Sequence, residues 1–361
     1  MNDLGRLLVT RIRADGPMRL SDYMAECLIH PAHGYYATRD PFGARGDFTT
    51  APEISQMFGE MLGLCLAQSW LDQGAPSPFT LAEIGPGRGT LMADILRTIR
   101  AAPCMPEAAR VHLVEASEML RARQRETLAG TGISFHDRVE TLPEAPLFLV
   151  ANEFFDALPI RQFQRQGNGW RERVVGLDEE GNLAPALAPL TRYEFLEHRI
   201  ADTRDGDIVE VCPAAIPTAS GIAGRIARHG GAALIVDYGG WHSLGDTFQA
   251  LKAHQPVDPF AEPGEADLTA HVDFEPLAEA ARAAGAEASA MVPQGVLLER
   301  LGITARAQRL AQGLEGERLR SHSAAHRRLT HPDEMGALFK VLAFHPKGSP
   351  PPPGLEPVTA P

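Results

Sequence analysis

Cysteine is scarce in this chain. Four occur among 361 residues (Cys27, Cys65, Cys104 and Cys212), and none forms a C-x-x-C pair. That excludes a disulfide scaffold and the usual clustered thiolate metal sites, and it fits a reducing compartment. Positive charge is also in deficit: 34 Lys and Arg stand against 46 Asp and Glu, a net −12. Sequence-independent nucleic-acid binding needs a cationic surface and is disfavoured. An acidic surface suits a basic protein or a cationic small molecule. No apolar run reaches membrane-spanning length. The opening residues, MNDLGRLLVTRIRADG, have no long apolar core and no small-residue cleavage site, so secretion is not expected. They imitate a transit peptide only loosely, since Asp3 and Asp15 count against it. A cytoplasmic protein is the expectation. No G-x-S-x-G elbow and no phosphate-binding G-K-[ST] occurs, which removes support for hydrolase and nucleoside-triphosphatase readings. His322 and His326 sit one helical turn apart, but Ser323 stands where the metalloprotease pattern needs Glu.

Length allows one large domain or two modest ones. Residues 1–75 read as helical, with apolar spacing in LGRLLVTRIRADG, a Gly16-Pro17 breaker and Ser21 as the expected cap of the next helix. A polar, aromatic loop, HPAHGYYATRDPFGARGDFTTAPE, leads to a helix near residues 54–71. From residue 79 short apolar runs alternate with helical segments at about 90–101 and 117–129: FTLAEI, VHLVEA, ISFHD, PLFLVAN and GAALIVDYGG. This alternation predicts an α/β fold, a doubly wound, mainly parallel, Rossmann-like sheet over residues 76–345. AEASAMVPQ and ALFKVLAFHP read as the last strands, with one long helix over 295–319 between them. Turn signals GNG (167–169) and DEEGN (178–182) predict an antiparallel ribbon at 160–190. A second insertion, 241–275, is irregular. The tail, PKGSPPPPGLEPVTAP (346–361), is expected to be extended, solvated and disordered.

FTLAEIGPGRGTL (79–91) carries the chemistry. Gly85, Gly87 and Gly89 make a turn at the carboxyl end of the first strand of the sheet, where crevices and ligands lie. The dinucleotide pattern would place its third glycine at 90, where Thr90 stands. The next strand ends in Glu115, about 25 residues past the turn, where an acidic residue accepts two ribose hydroxyls. NAD, FAD and S-adenosylmethionine all carry a ribose. Glu83, just upstream of the bend, repels a pyrophosphate but suits an ammonium and a sulfonium. S-adenosylmethionine is therefore the expected cofactor.

E-I-G-P-G-R-G-T followed by V-E resembles the first motifs of class I methyltransferases. RGDFTTAPEISQMFGE, NEFFDALP, VDYGG, HVDF and MGALFKVLA together resemble one narrower group, the MidA family, from about residue 15 to 345. The resemblance implies a protein arginine methyltransferase, with mitochondrial members that assist assembly of respiratory complex I. It implies a protein substrate, including a complex I subunit, and a mitochondrial matrix location if the chain is eukaryotic. A non-catalytic assembly chaperone with a retained methyltransferase fold, and a small-molecule N- or O-methyltransferase, stay open.

If arginine is the acceptor, carboxylates can orient its guanidinium and take up a proton. Asn152, Glu153 and Asp156 fall at or just past the end of PLFLVAN. Glu153 is the first choice for the acceptor-binding carboxylate, Asp156 the second, and Asn152 is expected at the cofactor. The plain alternative is that Asn152 and Asp156 cap a turn. Asp47, Thr49 and Thr50 lie in a loop expected to fold over the cofactor and exclude water, with Asp47 a third catalytic candidate. Asp137, after the third strand, is expected at the adenine amino group. Asp237 and Tyr238 are expected either to line the acceptor pocket or to satisfy turn amides. Gln294 and Gly295 match the family without a derivable role.

Overall fold

A computed structural model describes residues 1–38, 49–242 and 244–358. The chain forms two compact units, each assembled from three stretches: 1–48 with 156–215 and 242–273, and 49–155 with 216–241 and 274–361. The cut therefore falls at Phe48 and not near residue 75, so the helix Gln56–Asp72 belongs with the parallel sheet.

The second unit holds that sheet. Its strands run in the order Ala286–Ala288, Phe339–Pro346, Gly231–Gly240, Leu147–Asn152, Phe79–Ile84, Ala109–Val114, Ile133–His136. The last five pair in parallel and Phe339–Pro346 runs antiparallel against Gly231–Gly240. Phe79–Ile84 and Leu147–Asn152 are buried at every position, which is why they read as unbroken apolar runs: helices cover both faces. The chain leaves Phe79–Ile84 toward Ala109–Val114 on one side and returns through Leu147–Asn152 on the other. That reversal makes the carboxyl ends of these strands the switch point where ligands bind. Helix Gln56–Asp72 lies almost backbone to backbone on helix Thr90–Thr98. A Cβ on Gly59 would come within 2.5 Å of the Asp94 Cβ, and one on Gly63 within 3.0 Å of the Thr98 Cβ.

The first unit carries an antiparallel sheet in the order Met18–Arg19, Gly169–Leu177, Arg161–Gln166, Ile208–Val211, with Leu183–Leu187 also on Gly169–Leu177. The ribbon expected at 160–190 is thus the middle of a larger sheet. Helices Asp3–Asp15 and Leu20–Ile29 pack Leu8, Ile12, Tyr23 and Met24 into a core with Ile160 and Val175. Asn2, through its side chain, caps the first of these on the Gly5 amide (2.9 Å). Ser21 does not cap the second: that helix begins at Leu20, with Arg19 before it and no side-chain cap. The 241–275 insertion is less irregular than its composition suggests, since Gln249–Lys252, Gln255–Val257 and Asp267–Thr269 form a small antiparallel sheet.

Two further expectations are corrected. The helix foreseen over 295–319 is three, Gln294–Arg300, Ile303–Ala311 and Gly316–Thr330, because Gly302 and Gly313 take left-handed φ of 91° and 81° in the gaps and break the ladder. The tail is held down through Glu356, with Pro352 and Leu355 buried. Leu355 is buried in the main core, the Cys65 thiol donates to the Pro353 carbonyl (3.4 Å), Arg300 pairs with Glu356 (2.7 Å), and the Ala290 amide donates to the Glu356 carbonyl. Gln294 and Gly295 also find their role here. Gln294 Nε2 donates to the Leu329 carbonyl (2.9 Å), and a Cβ at Gly295 would lie 2.2 Å from the Thr330 carbonyl oxygen. They are a close-packed helix junction. No described helix is long and apolar enough to cross a membrane.

Candidate active site

The turn after Phe79–Ile84 needs glycine. Gly85, Gly87 and Gly89 have φ of 64°, 51° and 81°, which side chains with a Cβ rarely adopt. A Cβ on Gly85 would also press to 3.0 Å from the Phe154 ring. The Gly89 amide closes the turn on the Pro86 carbonyl (2.7 Å), and Gly89 begins helix Thr90–Thr98. Beneath this turn Glu83 is 3 % exposed, and its Oε2 carries no hydrogen bond among the described residues. Burial pushes its pKa up to about 8, with the Glu115 charge adding to the rise and the Met92 amide opposing it.

At the next strand end Glu115 is buried and held from two sides. The Ser117 amide donates to its Oε1 (2.8 Å) and Gln124 Nε2 to its Oε2 (3.1 Å). The same Gln124 nitrogen donates to the Gly87 carbonyl (2.7 Å), tying the glycine turn to the acidic strand end. Burial raises the pKa of Glu115 against these hydrogen bonds. Gln124 escaped the sequence reading because a glutamine inside a charged helix looks solvated; it is fully buried. Asp137 is elsewhere in character. Its side chain is 80 % exposed and pairs with Arg121 at 2.6 Å, an arginine that also donates to the Glu115 carbonyl (2.7 Å). Behind it, His112 Nδ1 and His136 Nε2 meet at 2.8 Å.

The third strand end brings the acceptor-side groups. Glu153 follows Asn152 with a φ of 51°, a left-handed conformation that costs a non-glycine residue on the order of 1–2 kcal/mol. Its amide still donates to the Val236 carbonyl (2.9 Å), and its Oε1 accepts from the Ala51 amide (3.2 Å) and from Asn152 Nδ2 (3.1 Å). Asn152 Oδ1 is buried with no hydrogen bond among the described residues. Asp237 is fully buried and accepts from the amides of Phe154 (3.2 Å), Phe155 (2.9 Å) and Tyr238 (2.9 Å). Asp237 thus braces the turn that displays Glu153. Thr50 is buried and precedes the short helix Ala51–Ile54, and Thr49 is half-buried beside it. Asp47 lies outside the described residues. Asp156 belongs to the other unit, where it is buried and its carbonyl accepts from the Ala270 amide (3.0 Å).

The acceptor oxygens Glu83 Oε2, Gln124 Oε1 and Asn152 Oδ1 are buried at one end of the sheet without a donor among the described residues. Burying unsatisfied acceptors is costly, so this end of the sheet fits a ligand rich in donors and positive charge. S-adenosylmethionine, with its ammonium, sulfonium and ribose hydroxyls, matches that demand. A pyrophosphate does not.

Comparison with known proteins reaches the same class. Residues 61–292 match the profile of a family described as S-adenosyl-L-methionine-dependent methyltransferases, and the chain belongs to that family. Within it the chain aligns with the arginine methyltransferase NDUFAF7 homolog, mitochondrial, of Drosophila melanogaster at 35% identity, covering 95% of this chain and 85% of the relative. The human protein arginine methyltransferase NDUFAF7, mitochondrial, is 36% identical over 94% of this chain and 83% of its own length. A crystal structure from Burkholderia thailandensis, described as a methyl transferase bound to S-adenosyl-homocysteine, superposes with a TM-score of 0.84 at 32% identity, covering 97% and 93% of the two chains. The expected doubly wound fold, the cofactor and the MidA grouping stand on these findings.

Proposed function

We propose that the chain transfers a methyl group to an arginine side chain of a partner protein, and that the partner is a subunit of respiratory complex I in its unassembled state. The names of the relatives support arginine, and the resemblance stated above supports the complex. The observation that carries the reading within this chain is Glu153, presented from a strained backbone and fixed by Asn152 and the Ala51 amide.

Bound S-adenosylmethionine supplies an electrophilic methyl carbon. Glu83 balances the ammonium, the backbone of Gly85, Gly87 and Gly89 allows close approach, and Glu115 accepts the ribose hydroxyls. Asn152 would present to the donor an acceptor oxygen that has no hydrogen bond among the described residues, with Thr49 and Thr50 bordering it. Glu153 receives the guanidinium through charge-assisted hydrogen bonds, concentrating electron density on the distal nitrogen. With the donor bound, that nitrogen would be held in line to accept its methyl group, the sulfur departing with the bonding electron pair. The proton leaving nitrogen passes to the Glu153 carboxylate and on to water. In-line alignment supplies much of the acceleration, and a side chain with one fixed carboxylate geometry serves it.

The test is tritium transfer from S-adenosylmethionine to the unassembled partner, with mass spectrometry to locate the modified residue. Glu153→Gln should keep cofactor affinity within about threefold and lower turnover by roughly a hundredfold or more. Normal turnover in that variant would end the assignment. Cofactor binding with no methyl group on any partner would identify a chaperone instead.

A further inference from the structure

The helix Ala51–Ile54 is one turn long, yet it touches both halves of the methyltransferase site. At its start the Ala51 amide donates to Glu153 Oε1 (3.2 Å). Two residues on, Glu53 Oε1 accepts from the Thr90 hydroxyl (2.6 Å), and its Oε2 lies 3.8 Å from Arg88 Nη1. Thr90 and Arg88 flank Gly89, so Glu53 grips the glycine turn at the point where it becomes a helix. The Glu53 side chain is 19% exposed and the Arg88 side chain 27%, which puts the pair in a partly desolvated setting where charge attraction survives screening. A sequence reading takes Pro52-Glu53 as an ordinary helix start, and so misses this.

We infer that Glu53 is a positioning residue for methyl transfer, acting through the backbone of residues 50–54 to hold the Glu153 carboxylate at a fixed place relative to the glycine turn. The inference rests on the reading that Glu153 receives the acceptor. Four-residue helices do not persist unaided in water, and this one has no side-chain cap at Thr50. Buried Ala51 and Pro52 seat it, Ala51 in the main core, and its polar ties are Glu53 on one side and Glu153 on the other. Releasing the first lets the Ala51 amide drift, and Glu153 Oε1 loses the hydrogen bond it accepts there. A displacement near 1 Å at a catalytic carboxylate is enough to cost about a hundredfold in rate.

The experiment combines amide hydrogen exchange with turnover in the full chain saturated with S-adenosylmethionine. Glu53→Ala and Thr90→Val should each speed exchange at Ala51, Glu53 and Ile54 by about tenfold or more. Both should lower kcat by about ten- to a hundredfold while the cofactor Kd stays within about threefold. Glu53→Gln keeps an oxygen for Thr90 and should retain slow exchange and most of kcat. Added to Glu153→Gln, Glu53→Ala should cause no further loss, because both act on one carboxylate. Unchanged exchange in Glu53→Ala overturns the inference, as does a full multiplicative loss in the double variant. If Glu53→Ala does not fold, Thr90→Val decides alone. Should the wild-type chain methylate no arginine at all, the exchange arm still judges Glu53, and only the arginine reading falls.

Discussion

Glu83 is held with a pKa near 8, mainly by burial, and a cation brought against it must displace its proton. At pH 7 such a group is about 0.9 protonated. Binding the donor's ammonium should return it to the ordinary carboxylate range, releasing that proton. The ligand's own amino group, with a pKa of about 7.8, takes back roughly 0.1, so net release is about 0.8 per site. Isothermal calorimetry in buffers of different ionisation enthalpy counts this directly. The sign follows from linkage: affinity should rise about tenfold per unit between pH 6 and 7 and flatten by pH 8. The ligand-free fold should lose stability as pH rises from 4.5 toward 8, because the unfolded chain ionises this carboxyl above 4.5 while the fold keeps it protonated. S-adenosylhomocysteine, which keeps the ammonium and lacks the sulfonium, should release the same proton. Glu83→Gln should show only the small uptake and bind weakly at every pH. Zero net release by the wild-type chain at pH 7, or equal proton counts in Glu83→Gln, would refute the reasoning.

Two further outcomes concern the fold. Burial, with help from His136, depresses His112 to about 4, so the folded state keeps it neutral while the unfolded state protonates it below about 6.5. Stability from this group is whole above that pH and lost as pH falls toward 4. Urea unfolding should give about 2 kcal/mol less at pH 5 than at pH 7.5 beyond the change seen in His112→Asn; parallel profiles would exclude the effect. Leu355→Ala removes a buried side chain from the main core, and should lower stability by about 2–3 kcal/mol, measured as a fall of several degrees in Tm. A tail free in solvent would leave Tm unchanged.

Much of this was legible because local chemistry dictated it. Unbroken apolar strands, glycines that only a left-handed turn requires and acidic strand ends each announce themselves within a few residues. What stayed hidden was set by contacts distant in sequence. Met18 pairs with Val175, and nothing near Met18 says that Met18–Arg19 is a strand. Composition made the tail look solvated, but Leu355 in the core and bonds from Cys65, Ala290 and Arg300 hold it down. Glu53 and Gln124 look like surface residues because helix composition cannot reveal which polar side chain faces a strand end.

The split construction of the first unit bears on synthesis. Its opening helices emerge from the ribosome roughly 160 residues before Val175 arrives, a delay of about 10–30 s at ordinary elongation rates. Throughout that interval the greasy faces of Leu8, Ile12, Tyr23 and Met24 have none of their later-made neighbours. Slowing translation should therefore raise aggregation of the growing chain before it affects the finished protein.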